Sequence, residues 1–103
     1  MAEQPLRRRI RIAADHPATA GHFPGNPLVP GVVLLDEVIT AVRAWSAAFD
    51  APVYIEQVKF LIPVAFGQSL DLEARFARGA ALEFTLWVDG RIATSGRLGV
   101  ISR

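Results

Sequence analysis

Gly21-His22-Phe23-Pro24-Gly25-Asn26-Pro27-Leu28-Val29-Pro30-Gly31, running straight into Val32-Val33-Leu34-Leu35-Asp36-Glu37-Val38, is the stretch on which the fold and the chemistry of this chain turn. Four of the seven prolines (Pro17, Pro24, Pro27, Pro30) and three of the eight glycines lie between Pro17 and Gly31. Proline fixes φ and removes a donor, and glycine lets another backbone or a ligand come close, so the segment reads as a stiff, irregular loop. The apolar run after Gly31 has helical length and composition. A helix start carries N–H groups with no intrahelical partner, suited to an anion or a carbonyl oxygen. His22 exchanges a proton near neutral pH. Asp36, about a turn and a half into the helix, is close enough to face the same cavity. A base, an acid and an oxyanion donor are the parts that proton abstraction beside a carbonyl requires.

Working outward, the helix is expected from Gly31 or Val32 to about Phe49, ended by Asp50-Ala51-Pro52. At about 100° per residue, Asp36, Thr40, Arg43 and Ala47 share one narrow stripe, and Glu37 stands off it. Nearly everything else on the helix is apolar, which marks a helix buried over most of its circumference. On periodicity alone, the plainer reading of Asp36 is one member of a solvent-facing stripe. Upstream, Leu6 to Ile12 alternates: Leu6, Arg8, Ile10 and Ile12 point one way, Arg7, Arg9 and Arg11 the other. That is a half-buried strand with a basic face. The plain reading is an edge strand kept soluble by charge, and the functional one is a docking patch for an acidic partner. His16, just before Pro17, reads as a surface-loop histidine.

Downstream the pattern is β. Val53–Leu61 is rich in β-branched and aromatic residues, and Pro63 and Gly67 interrupt the chain after it. Ser69–Ala77 sets Leu70, Leu72, Ala74 and Phe76 against Asp71, Glu73 and Arg75. Ala81–Val88 puts Leu82, Phe84, Leu86 and Val88 on one face. Asp89-Gly90 is a hairpin signal, and Arg91–Ile101 completes a meander with Ile92, Leu98 and Val100 inward. Strand, loop, helix and four strands in one domain spanning 1–103 predict an α+β fold, a sheet around one long helix.

At 103 residues one core is expected. With 51% hydrophobic residues and a mean hydropathy of +0.30, the surplus apolar surface predicts a homodimer or larger assembly. A net charge of +1 gives no pull toward nucleic acid or membrane. Without cysteine there is no disulfide, thiolate metal site or thiol nucleophile. Neither metal nor cofactor is expected. Arg7-Arg8-Arg9 is not followed by a signal core, and a cytoplasmic location is expected.

The spaced set His22-Phe23-Pro24-Gly25, Pro27, Pro30-Gly31 and Asp36 resembles the signature of the hotdog-fold 3-hydroxyacyl acyl-carrier-protein dehydratases of fatty acid synthesis. Phe60-Leu61-Ile62-Pro63-Val64, with Gly67 downstream, is similar to a second segment of that family, and the order of elements fits along almost the whole chain. The resemblance implies a sheet wrapped around the helix and a dimer whose sites each take histidine from one subunit and carboxylate from the other. It implies His22 and Asp36 as the catalytic pair, Gly31 as the N–H that binds the thioester carbonyl, and Phe23, Pro30 and Val32 beside the substrate. Glu37 lies about 100° from Asp36 around the helix, so both cannot face His22, and Asp36 is the assignment. The implied reaction is loss of water from a (3R)-3-hydroxyacyl thioester on acyl carrier protein, with Arg7, Arg9 and Arg11 as a carrier-docking patch. Relatives of this compact kind also serve pathways such as aryl polyene synthesis. Thioester hydrolysis and a non-catalytic acyl- or carrier-binding module are the rival readings.

Overall fold

Period-two alternation builds the sheet, and most elements fall close to where that pattern puts them. The computed structural model describes residues 4–13, 28–77 and 81–101. Strand β1 (Leu6–Arg11) precedes helix α1 (Gly31–Trp45), and then come β2 (Val53–Phe60), β3 (Ser69–Phe76), β4 (Leu82–Val88) and β5 (Arg91–Val100). The strands form a five-stranded sheet in the order β1-β3-β4-β5-β2, antiparallel throughout. β3, β4 and β5 are the expected meander, β1 and β2 its edges. This is the α+β architecture expected from the sequence.

The core lies between one helix face and one sheet face. Leu34, Leu35, Val38, Ala41 and Val42 of α1 are buried with Leu70, Leu72 and Ala74 of β3, Leu82, Phe84, Leu86 and Val88 of β4, and Leu98 of β5. Each fully buried side chain of this size stabilises by about 1.5–3 kcal/mol. Phe76 stacks on both Trp45 and Phe49, with ring centroids 5.2 and 5.5 Å away, closing the C-terminal end of the helix against β3. The turn between β4 and β5 has φ of +51° at Asp89 and +76° at Gly90, the left-handed pair that a tight hairpin demands.

Two expectations change. The α-helix stops at Trp45 rather than near Phe49. Ser46 adopts an extended backbone (φ −143°, ψ 127°), and its hydroxyl accepts a hydrogen bond from the Ala48 N–H at 3.3 Å. A serine that bonds its own neighbourhood competes with the helix ladder, and a 3-10 turn over Ala47–Phe49 replaces it. Arg43 Nε donates to the Phe49 carbonyl at 2.9 Å and holds that turn down. Ile92 is the second change. Leu86 pairs with Thr94 but Trp87 pairs with Ile92, so β5 carries one extra residue, Ala93. The bulge buries Ala93 and Thr94 and leaves Ile92 45% exposed instead of inward.

On the outer sheet face, charged pairs cross the strands. Arg7 meets Glu73 at 3.0 Å and Arg9 meets Asp71 at 3.2 Å across β1 and β3, and Arg75 meets Glu73 at 2.7 Å along β3 itself. The hydrogen bond from Arg75, followed by its charge and by Arg7, holds the Glu73 carboxyl below the ordinary carboxylate range despite an opposing burial effect. A depressed folded pKa stabilises above the unfolded value, and that stability is lost as pH falls through the folded one. Glu73→Gln is therefore expected to be slightly less stable than wild type at pH 7 and to lose less on acidification. Urea melts at neutral and acid pH measure it. A difference that does not shrink at low pH refutes the role.

Candidate active site at the start of the helix

Pro30 sets the geometry. It is extended (φ −62°, ψ 146°) and gives the helix no side-chain cap. Its carbonyl accepts from the N–H groups of Val33 at 3.0 Å and Leu34 at 3.3 Å. The N–H groups of Gly31 and Val32 make no hydrogen bond among the described residues. The chain entering the helix is fastened to the β2–β3 connection: Val29 N–H donates to the Val64 carbonyl at 2.7 Å, and Leu28 bridges Ala65.

That fastening lays the helix start over Phe60. A Cβ at position 31 would lie 2.6 Å from Phe60 Cζ, so a side chain there would have to push the Phe60 ring aside. Beside it is an open apolar groove of about 290 Å³ lined by Gly31, Leu34, Phe60, Leu61, Ile62, Pro63 and Val64. Two N–H donors without a partner among the described residues, beside apolar side chains, are what a developing thioester oxyanion needs.

Asp36 is exposed on the outward stripe of α1, with Val32, Thr40 and Arg43. It stands about 140° around the helix axis from Gly31, so it turns away from the groove beside its own Gly31. Val32 is 73% exposed on the same outward side. Pro30 is half-buried at the helix start. The structure thus brings Gly31 to the groove, with Pro30 just before it in the chain, and sets Asp36 and Val32 on a different face. His22 and Phe23, like His16, lie outside the described residues. Arg7 and Arg9 are engaged by Glu73 and Asp71, and Arg11 Nε donates to the Gly67 carbonyl at 2.9 Å. β1 is four strand spacings from β2, roughly 19 Å across the sheet.

A wider cleft of about 450 Å³ lies over β2, β3, β4 and β5, lined by ion-paired Glu73, Arg75, Glu83 and Arg97. Four of its five charged side chains already have partners, Lys59 being the fifth, and the helix start takes no part in its lining. No cluster of three or more potential metal ligands occurs among the described residues, and no described helix is long and apolar enough to cross a membrane. Sequence reasoning placed Phe60 only in a strand and a motif. Its contact with Gly31 joins residues far apart in the chain, and the Phe60-to-Val64 segment was the available signal.

Comparisons with known proteins fit this geometry. A family model described as ApeI dehydratase, ApeI-like, matches residues 2–97. The 3-hydroxyacyl-acyl-carrier-protein dehydratase FabZ of Aliivibrio fischeri is 32% identical over 109 residues, covering 93% of this chain and 73% of that protein. Its counterpart in Nitratidesulfovibrio vulgaris strain DP4 is 30% identical over 97 residues, 84% of this chain and 61% of that protein, so the chain spans less than two-thirds of that relative. Among solved structures, the dehydratase heterocomplex ApeI:P from Xenorhabdus doucetiae superposes with a TM-score of 0.85 at 26% identity, covering 98% of this chain and 90% of that one. An (R)-hydratase from A. caviae matches with a TM-score of 0.65 at 17% identity, over 98% of this chain and 97% of that one, a likeness of fold alone.

Proposed function

The chain belongs to the ApeI-like dehydratase family, whose hotdog fold its sheet and helix reproduce, and we propose that it reversibly removes water from (3R)-3-hydroxyacyl thioesters borne on acyl carrier protein, leaving the trans-2-enoyl thioester. The observation that supports this reading is the helix start: N–H groups of Gly31 and Val32 without a partner among the described residues, with Gly31 lining an apolar groove. The Gly31 N–H, reinforced by the helix dipole, takes the thioester carbonyl and the enolate-like charge that develops on it. His22 removes the C2 proton, and Asp36 assists the C3 hydroxyl to leave as water. Because Asp36 faces away from the groove beside its own Gly31, the acid reaching that groove comes from a second copy.

The second copy docks on β2. This edge strand exposes Tyr54, Ile55 and Phe60, with Leu61 just beyond, alongside Glu56, Gln57 and Lys59, and an edge that carries large apolar side chains and lacks a described neighbour on one side is a template for another strand. A homodimer across β2 is our reading. Ile55, 47% exposed in the single chain, is the residue to change: Ile55→Lys is expected to convert a dimer to a monomer in light scattering and to lower dehydration at least about tenfold, a lysine there being desolvated by the partner. A dimeric, fully active Ile55→Lys protein overturns the interface. The X. doucetiae relative is a heterocomplex, and a wild-type chain that stays monomeric alone would point to an arrangement of that kind.

The direct experiment follows ultraviolet absorbance of the conjugated enoyl thioester, forward from a 3-hydroxyacyl substrate or in reverse from crotonyl thioester. Dehydration makes that chromophore, hydrolysis releases free thiol, and a binding module does neither. Carrier docking through Arg7, Arg9 and Arg11 has less support, since those side chains are engaged within the sheet.

A further inference from the structure

Thr94 is the buried residue that the proposed chemistry does not use. It is 0% exposed, and its Oγ1 is the one buried side-chain polar atom without a hydrogen-bond partner among the described residues. A buried hydroxyl left unpaired loses its water and gains nothing in return. Valine would fill the same volume without that loss. Among the described residues, no salt bridge or backbone turn accounts for a threonine here.

Its position suggests a use. Thr94 is the register partner of Phe60 across the β2–β5 ladder and of Leu86 across β4–β5. Residues directly opposite on antiparallel strands project to the same face with Cβ atoms about 4.5–5.5 Å apart. Phe60 points to the helix side, where its ring meets Gly31, so Thr94 points there too, one strand further in. Phe60 thus lines the groove at the helix start, and its neighbour across the ladder carries an unsatisfied hydroxyl. Phe60 is 50% exposed in the single chain, whereas Thr94 is enclosed.

We propose that the groove continues inward past Phe60 to Thr94, and that the Thr94 hydroxyl selects acyl groups carrying a second oxygen, a hydroxyl or carbonyl, beyond the reacting C3. The aromatic ring is the movable wall, and an acyl chain of sufficient reach displaces it and pairs with Oγ1. Plain acyl chains stop at the ring. This inference rests on the dehydratase reading of the same groove and adds to it the chemical class of the substrate.

Matched 3-hydroxyacyl thioesters of several lengths, each with and without a terminal hydroxyl, are compared by kcat/KM in wild type and Thr94→Val. Wild type is expected to favour the hydroxyl-bearing member at one chain length by about tenfold, the scale of one hydrogen bond to a neutral group. Thr94→Val is expected to melt at a higher temperature, to keep plain chains within about twofold, and to lose the preference. Turnover of plain chains with no preference at any length overturns the inference and leaves the dehydratase reading standing. A preference that survives Thr94→Val also overturns it. Absence of dehydration across the whole panel removes both. Phe60→Leu, which shortens the wall, is expected to shift the favoured length; an unshifted optimum counts against a movable ring.

Discussion

His22→Ala and Asp36→Asn are each expected to abolish dehydration while leaving the dimer intact, and reassociating the two inactive chains is expected to restore about a quarter of wild-type activity. General acid–base groups typically contribute ~10²–10⁴ in rate, so each single variant falls to background in the enoyl assay. The mixing result follows from the helix. Asp36 stands about 140° around the axis from Gly31, on the exposed stripe that runs away from the groove, so one copy's acid serves another copy's oxyanion donor. His22 precedes Gly31 on the same chain in a loop stiffened by proline. If histidine and glycine come from one copy and the carboxylate from its partner, a mixed dimer holds one intact site and one doubly damaged site. Random reassociation makes half of the dimers mixed, each with one working site of two, hence about a quarter. Mixtures as dead as their parents would put both groups in one chain. A near-wild-type rate in either parent would remove that residue from the chemistry.

The sheet was legible because its pattern is local. The alternation from Ser69 to Ala77 predicts which residues of β3 are buried, and Leu70, Leu72 and Ala74 are. The meander follows from the Asp89-Gly90 turn, whose positive φ values the structure reproduces. The polar stripe on the helix was legible from spacing, and Asp36, Thr40 and Arg43 are exposed. What periodicity does not carry is an interruption of the period. The bulge at Ala93 inserts one residue in the ladder, so the alternation that places Ile92 inward runs one step out of phase beyond it. The helix end fails for a related reason: Ala47, Ala48 and Phe49 continue an apolar run, and only the side-chain hydrogen bond of Ser46 diverts the backbone.

The site divides along the same line. Gly31 was marked by sequence because proline-glycine before an apolar run announces a helix start, and the open N–H groups follow from helix geometry. What a side chain at that position would displace is the Phe60 ring, supplied from a strand after the helix through a contact that no local pattern encodes. Thr94 was invisible for a further reason. A threonine in a strand is ordinary by composition, and only burial without a partner distinguishes it. The edge character of β2 also needed the sheet order, since Val53–Phe60 looks by composition like a covered strand, yet most of its residues are exposed.

Gly31→Pro is expected to lower kcat by ~10²–10³ beyond Gly31→Ala, the range seen when one oxyanion donor is deleted. The pair of variants separates the N–H of residue 31 from its lack of a side chain. Both introduce a Cβ that meets the Phe60 ring, 2.6 Å from Cζ, so both share that clash, on the order of 1–3 kcal/mol before the ring yields, and proline alone adds Cγ and Cδ, with Cδ in place of the hydrogen on N. Only proline removes the N–H. The backbone accepts it: residue 31 is the first helical position, where proline is favoured because that N–H has no helical partner. Pro30 already has the extended ψ of 146° that a residue before proline requires. Thermal melts of the two variants are therefore expected to agree within a few degrees, and placing Phe60→Leu behind either should relieve the shared strain. Lost stabilisation of the charge that appears as the C2 proton leaves falls on kcat, whereas a lost hydrogen bond to the bound carbonyl and crowding of it by Cδ fall on KM, so the kcat difference is the one that reads the oxyanion. Equal kcat in two folded variants would mean that the open donor at Gly31 does not hold the carbonyl, and the oxyanion would have to be sought at Val32.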